Sequence, residues 1–585
     1  MEEKELKEQE KQQKQQMYRH SMSHVLAKAI KSLWADAKLA IGPAIDNGFY
    51  YDIDLNHSIT PEDFEKIEAK MQEIINNNED LSRKELSKEE ALEMFKDQPY
   101  KVELINELPA GETISAYTLG EGFIDLCRGP HVENTKYLRG FAYKFNRVSG
   151  AYWKGDEHNK MLQRVYVYGF LDKNDLKNYL HMMEEALKRD HRKLGKELGL
   201  YFISDYSKGM PTYMPKGLTL KNTLVEFWRE IHKKAGYIEI ETPMAMNREL
   251  WETSGHWDHY KDNMYTFKCE NDTFAIKPMN CPGGMLYYLQ SKHSYKEFPL
   301  RVGELGKVHR HESSGTLNGL LRVRCFTQDD AHIFMLPNQI EDEIKNVMKL
   351  VDETYRTFGL TYSVELSTMP ESHIGEVSEW ETAETALKNA LENMKLAYKI
   401  NAGDGAFYGP KIDIHVKDCI GREWQCGTIQ LDMQLPKRFN LTYTDSDGKE
   451  KEPIMIHRVV YGSLERMIAV LTENFAGAFP TWLAPTQVKI LTVNENNVEY
   501  ATSLKNKLDS KNIRVETDFD NESVGKKIRE AVLEKIPYIV VIGDKEVQDG
   551  TVSVRLRGSK DTITMPYEKF EQNLLNNIAT KSLTL

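Results

Sequence analysis

Apolar and polar positions divide this chain into blocks with different periods. After a run of charged and amide residues at 1–17, the segment HSMSHVLAKAIKSLW has the pattern of an amphipathic helix. A Gly-rich stretch, IGPAIDNGFYYDID, then predicts a hairpin. This first unit, 18–170, closes at GAYWKGDEHNKMLQRVYVYGF, and the charged stretch 171–200 predicts a connecting helix. Residues 201–480 mix helices such as GLTLKNTLVEFWREIHKKAG with β-branched and aromatic runs. Returning strands with few βαβ units predict an antiparallel α/β core there, not a doubly wound one. Beyond TWLAP the pattern alternates: VKILTVN, VEYATSLKNKLDSKN, IRVETDF, SVGKKIREAVLEK and PYIVVIG. That predicts a small α/β domain over 481–585. The whole is an α/β multidomain (α+β) chain.

Composition changes this picture little. Charged residues are 28 % and apolar ones 40 %, ordinary for a globular protein. No apolar run approaches the roughly 20 residues that span a bilayer. The N-terminus has no hydrophobic core and carries five Glu, so it resembles neither a signal peptide nor a mitochondrial presequence. A cytoplasmic location with no membrane partner follows. Six Cys without regular spacing argue for free or metal-bound thiols, not a disulfide framework. The net charge of −12 has the wrong sign for a non-specific nucleic-acid binder. RNA can still be met by local basic patches and shape.

Four scattered segments carry the chemistry: PMNCPGG at 278–284, RHESSGTLNGLLRVR at 310–324, QDDAHIF at 328–334 and MIHRVVYGSLERMI at 455–468. Together they resemble the ATP site of the class II aminoacyl-tRNA synthetases, and most closely the threonyl-tRNA synthetase family. The resemblance covers about residues 18–580. It implies a class II antiparallel-sheet catalytic core, an N-terminal α+β editing domain and a C-terminal α/β anticodon-binding domain. The implied activity is a threonine–tRNA ligase, with ATP, L-threonine and tRNA(Thr) as partners and hydrolytic editing of Ser-tRNA(Thr).

Forming an aminoacyl adenylate brings a carboxylate to the α-phosphorus of ATP. Both are anionic, so fixed cations and usually Mg²⁺ are needed. Arg310 is the candidate for the α-phosphate, where bidentate geometry is useful. Glu312 could accept from the adenine amino group, and Arg466 could serve the γ-phosphate end or the adenine face. Gly462 permits close backbone approach. Arg322 and Ser463 complete the ATP set. In the family these are motifs 2 and 3. The dimer-forming motif 1 resembles GYIEIETPMAM at 236–246, which predicts a homodimer.

Cys281, His332 and His457 lie 51 and 125 residues apart, so spacing alone reads them as a buried Cys and two ordinary His. The resemblance implies that they hold one Zn²⁺ per chain. Three protein ligands leave an open coordination site. Threonine's amino group and hydroxyl could fill it, and valine has no hydroxyl to offer, the strong kind of rejection. Asp330 is placed to accept the hydroxyl proton. Met279, Gln328, Tyr408 and Gln425 are candidates for the rest of the substrate pocket. The family commonly has His where this chain has Gly284, and His311 follows Arg310.

Such a site cannot reject serine, because a missing methyl gives only about 10–200-fold discrimination. A second sieve is needed. His20 and His24 share one face of the predicted helix at i, i+4, and DLCRGPHV supplies Cys127 and His131. Two readings compete. The four groups could bind Zn²⁺, or they could position water at the ester without metal, which is the reading preferred. The resemblance adds Lys101 and Asp125 to this editing set. In the last domain it implies that Asn521, Arg529, Glu546 and Arg555 read anticodon bases. It also implies a small ubiquitin-like domain before the editing unit, where this chain has only the tail at 1–17. An idle RNA-binding paralogue should have lost the arginines or zinc ligands, and a dedicated hydrolase should lack the ATP motifs. Both sets are present.

Overall fold

The computed structural model describes residues 2–109 and 111–585, with side chains described from residue 10 onward. The chain divides into two units, 1–184 and 185–585. In the first, one helix runs from Glu2 to Leu33. The polar stretch at 1–17, expected as a solvated helix or a tail, is helical from residue 2 and continuous with the amphipathic helix. No Gly or Pro interrupts it, and Gln and Lys are good helix formers. Met22, Val25, Leu26, Ala29 and Ile30 form its buried stripe. They pack on Phe49, Tyr51, Ile53, Val165 and Val167 of a five-stranded sheet. The expected hairpin is there: Ala44–Ile45 pairs with Gly48–Asp54 across a two-residue turn. A second, three-stranded sheet (Leu81–Leu86, Ile114–Leu119, Ile124–Leu126) carries Asp125.

The stretch 171–200 is two helices, not one. Lys173–Arg189 ends at Asp190, which leaves helical geometry and caps His191–Glu197 by accepting from the Arg192 N–H. Periodicity alone could not show this break, because the charged pattern runs through it.

The second unit is built on an eight-stranded sheet. Its order is Ile238–Glu239, Leu300–His309, Cys325–Met335, Ile454–Val459, Glu423–Asp432, Lys411–Lys417, Thr361–Ser367 and Tyr398–Asn401. The six inner strands pair antiparallel, as expected, and the outer two pair parallel. The helices Pro215–Lys234, Ile340–Thr357 and Leu464–Asn474 bury their apolar faces in its main core. Beyond residue 487, three parallel strands alternate with helices as predicted, in the order Val515–Asp518, Val488–Thr492, Tyr538–Ile542. Two further antiparallel strands, Thr551–Leu556 and Thr562–Pro566, extend that sheet.

Candidate functional site

The sheet register builds the first site. His332 and His457 are direct partners on adjacent antiparallel strands, so their side chains share a face. Strand alternation adds Gln328 and Asp330 to the same face. Gln430 lies opposite His457 on the other neighbour and joins them. Cys281 opens the helix Cys281–Tyr288 over this face. Ligand atoms of Cys281, His332 and His457 all lie within 4.8 Å of one another, and all three residues are buried. His332 Nε2 and His457 Nδ1 are buried without a hydrogen-bond partner. The other ring nitrogen of His457 meets Asp432 Oδ2 at 2.8 Å. Gly284 faces the cluster: an added Cβ would stand 3.1 Å from His332 Nδ1.

A cavity of about 460 Å³ opens beside the cluster. Cys281 and His457 line it, with Met279, Gln328, Asp330, Tyr408 and Gln425. So do Arg310, Glu312, Arg322, Gly462, Ser463 and Arg466. The residues expected for metal, amino acid and nucleotide therefore come together in one place. Asn280 Nδ2 holds Asp330 Oδ2 at 3.1 Å. Tyr408 donates to Gln430 Oε1. Gln425 donates its side-chain amide to Asp413, and its backbone carbonyl accepts from Arg466 at 2.6 Å.

Three guanidinium groups crowd this space. Arg310 lies over the Phe326 and Tyr260 rings and donates from Nε to Pro278 O. Arg322 Nε is 3.9 Å from Glu312. Arg466 donates to Leu321 O and Gln425 O. Burial lowers the Arg466 guanidinium from its ordinary value; Cys426 opposes this, and Arg310 and Arg322 add to it. Gly462 has φ +79°, and a Cβ there would meet Cys426 O at 2.4 Å, so only glycine fits. Ser463 then caps the helix Leu464–Asn474 by accepting from the Arg466 N–H. Sequence reasoning missed Asn280, Asp432 and Gln430; Glu465 stands in the GSLER segment it singled out, but its anchoring role was not foreseen. Glu465 anchors Thr327 N, Lys221 and Tyr213. Register could have found Gln430; the others are polar residues without a local pattern.

The second cluster lies in the first unit. His20, His24, Cys127 and His131 also fall within 4.8 Å of one another. Cys127 Sγ is 3.2 Å from His20 Nε2 and 3.1 Å from His131 Nε2. Ser21 Oγ donates to Met17 O, so it accepts from Val132 N and from His131 Nδ1, 3.2 Å away. Burial pushes the Cys127 thiol up to about 11 and lowers all three imidazoles, so the set is neutral near pH 7. Beside it Lys101 and Asp125 form a buried ion pair at 2.6 Å. Tyr51, which sequence reasoning missed, donates to Asp125.

The four residues singled out in the last domain are less uniform. Asn521 and Arg529 are exposed. Glu546 is engaged by Gly543 N and Ser553 Oγ, and Arg555 donates to Ser559 O.

Comparison with known proteins bears on all three regions. Residues 265–475 match the class II tRNA synthetase core domain (G, H, P, S and T), and residues 487–577 match an anticodon binding domain. Residues 114–166 match the threonyl and alanyl tRNA synthetase second additional domain, which includes Asp125, Cys127 and His131. Threonine–tRNA ligase of Clostridioides difficile is 57 % identical over 97 % of this chain and 88 % of that protein. Its counterpart in Clostridium tetani is 58 % identical over 95 % and 87 %. The solved RNA binding domain of threonyl-tRNA synthetase from Cryptosporidium parvum aligns with TM-score 0.65 and 41 % identity, covering 66 % of this chain and 98 % of that one. On this identity and coverage, the chain belongs to the threonine–tRNA ligase family of class II aminoacyl-tRNA synthetases.

Proposed function

We propose that the chain activates L-threonine with ATP, transfers it to tRNA(Thr), and hydrolyses Ser-tRNA(Thr) in its first unit. One observation carries the reading: a buried Cys/His/His cluster opens into the same cavity as Arg310, Arg322 and Arg466. The soft donor set and two unpartnered ring nitrogens fit Zn²⁺. Asp432 orients His457 for that duty. A bound zinc supplies a coordination point with an open position for substrate heteroatoms.

The chain's own groups do the rest. Asn280 fixes one oxygen of Asp330, leaving the other for the threonine hydroxyl. Valine would leave that buried acceptor unpaired. The threonine carboxylate attacks the α-phosphorus, the bond to the β-phosphate oxygen breaks, and pyrophosphate leaves. Arg310 meets the α-phosphate, Arg466 the phosphate tail or adenine face, and Glu312 the adenine amino group. Mg²⁺ enters with ATP. In the editing unit the neutral quartet, with Lys101 and Asp125, positions water at the seryl ester without metal. Domain limits at 18–170, 201–480 and 481–585 follow this division of labour. Asn521 and Arg529 are free to meet anticodon bases.

Six free cysteines suit a reducing cytoplasm. Among the described residues no helix is long and apolar enough to cross a membrane. Ile238 and Met244 in the motif 1-like segment are exposed, which supports a homodimer burying more than about 2,000 Å². An active monomer in light scattering at micromolar concentration would refute it. ATP–pyrophosphate exchange with each amino acid, with metal analysis, tests the central reading. Exchange with threonine and serine but not valine, and about one zinc per chain, is expected. Exchange with valine at the threonine rate would overturn it.

A further inference from the structure

A third group of candidate ligands, Asp190, His191 and Glu473, lies within the second unit. It is not a metal site. The Leu320 N–H donates to His191 Nε2 at 3.0 Å. An N–H can only donate, so Nε2 carries the lone pair and Nδ1 carries the proton. Nδ1 meets Glu473 Oε1 at 2.6 Å, and the same oxygen accepts from the His191 backbone N–H. Both ring nitrogens are thus engaged. Asp190 is occupied with its capping bond and with Arg192.

What the imidazole joins is informative. Leu320 sits in the turn 318–322, closed by Leu321 N to Asn318 O and by the Asn318–Arg322 bridge. That turn carries Arg322 into the ATP cavity, and its Leu321 carbonyl accepts from Arg466 Nε at 3.3 Å. Glu473 lies at the far end of the helix Leu464–Asn474, whose first turn carries Arg466. Arg422 holds the other Glu473 oxygen, and Arg189 binds the carbonyls of Glu473 and Asn474. The close approach depends on Gly319. Its φ is +50°, and an added Cβ would stand 2.1 Å from His191 Nε2.

We propose that His191 is a positioning residue for ATP: it pins the loop that carries Arg322 and aims Arg466 to the helix from which Arg466 projects. The proposal rests on the reading of this cavity as the ATP site. His191 touches no substrate. It fixes two arginines relative to each other through one ring with a donor at one end and an acceptor at the other.

The test is ATP–pyrophosphate exchange with the full chain, varying ATP and threonine separately. His191→Asn keeps a donor near Glu473 and loses the acceptor for Leu320. It is expected to raise the KM for ATP roughly five- to tenfold, the effect of one lost hydrogen bond in a binding site. The KM for threonine should stay within about twofold. His191→Gln can offer an oxygen to the Leu320 N–H and should recover most of the ATP affinity. Gly319→Ala, which displaces the ring without altering it, should reproduce the Asn effect and decides the matter if His191→Asn fails to fold. An unchanged KM for ATP in Gly319→Ala and His191→Asn would overturn the proposal. So would equal losses in Asn and Gln with a lowered Tm, or threonine and ATP constants rising together. A wild-type chain that exchanges with no amino acid would instead overturn the reading of the cavity.

Discussion

The two Cys/His clusters have nearly the same inventory and opposite internal chemistry. In the Cys281/His332/His457 group, His332 Nε2 and His457 Nδ1 are buried without a geometric hydrogen-bond partner, the Cys281 thiol lies beside His457, and a carboxylate sits behind the His457 ring. In the His20/His24/Cys127/His131 group, the thiol lies between two imidazole nitrogens and a serine hydroxyl sits behind one ring; the His24 ring makes no hydrogen bond among the described residues, and its Nε2 stands 3.8 Å from Asp125 Oδ2. An unpaired buried polar group costs about 1–3 kcal/mol; the first cluster leaves a nitrogen unpaired on each of its two rings, whereas in the second His20, Cys127 and His131 pair with one another and only His24 stands apart. Donor identity alone does not distinguish them. What stands behind the donors does.

The strongest test of that contrast is Cys281→Ala. It should remove the zinc and reduce threonine activation to background, because the site loses one of only three ligands. Metal analysis together with exchange checks it; full activation by a metal-free variant would break the comparison. Next is the double substitution His20→Ala, His24→Ala. Metal content and Thr-tRNA synthesis should be unchanged while Ser-tRNA accumulates. A fall in bound zinc by one per chain would show that the quartet holds metal after all. Third is Asp432→Asn, which keeps the shape behind His457 and removes the charge. Zinc affinity should fall about 10–100-fold, read by competition with a chelator. No change would mean that Asp432 serves folding alone.

The two clusters also differ in how far they could be read beforehand. Each half of the quartet was legible because its spacing is local: His20 and His24 share a helix face, and Cys127 and His131 share a short loop, while resemblance gave these positions their role. The trio was not, since residues 125 positions apart become neighbours only when strands Cys325–Met335 and Ile454–Val459 pair in one register. Family resemblance supplied what spacing could not. Within the fold, the strand–helix alternation after residue 487 was plain. The last two strands were not, because VSVRLRG and TITMP are short and polar on one side. The break at Asp190 was hidden for a different reason. A capping Asp inside a charged helix looks like any other charge until its side chain is seen to accept from Arg192.

The smallest expected effect sharpens the comparison most, because it tests the supporting group of the quartet as Asp432→Asn tests that of the trio. Ser21 Oγ uses its one proton on Met17 O and accepts from His131 Nδ1. It thereby fixes the tautomer in which Nε2 presents a lone pair to Cys127. A hydroxyl acceptor is neutral, which suits a neutral ring. Behind a metal ligand a carboxylate or carbonyl is the usual partner, because it raises the donor's basicity. Ser21→Ala removes this bond, the one from Val132 N and the one Ser21 donates to Met17 O, for about 0.5–1.5 kcal/mol each. Ser-tRNA hydrolysis should slow by about three- to tenfold, with threonine activation and zinc content untouched. Hydrolysis at the wild-type rate would show that the tautomer is set by the cluster itself. A Ser21→Asp variant should then be compared for zinc uptake. If the carboxylate converts the quartet into a metal site, the group behind the ring is confirmed as the element that separates the two clusters. If zinc binding stays absent, the geometry of the four donors forbids it and the distinction lies there instead.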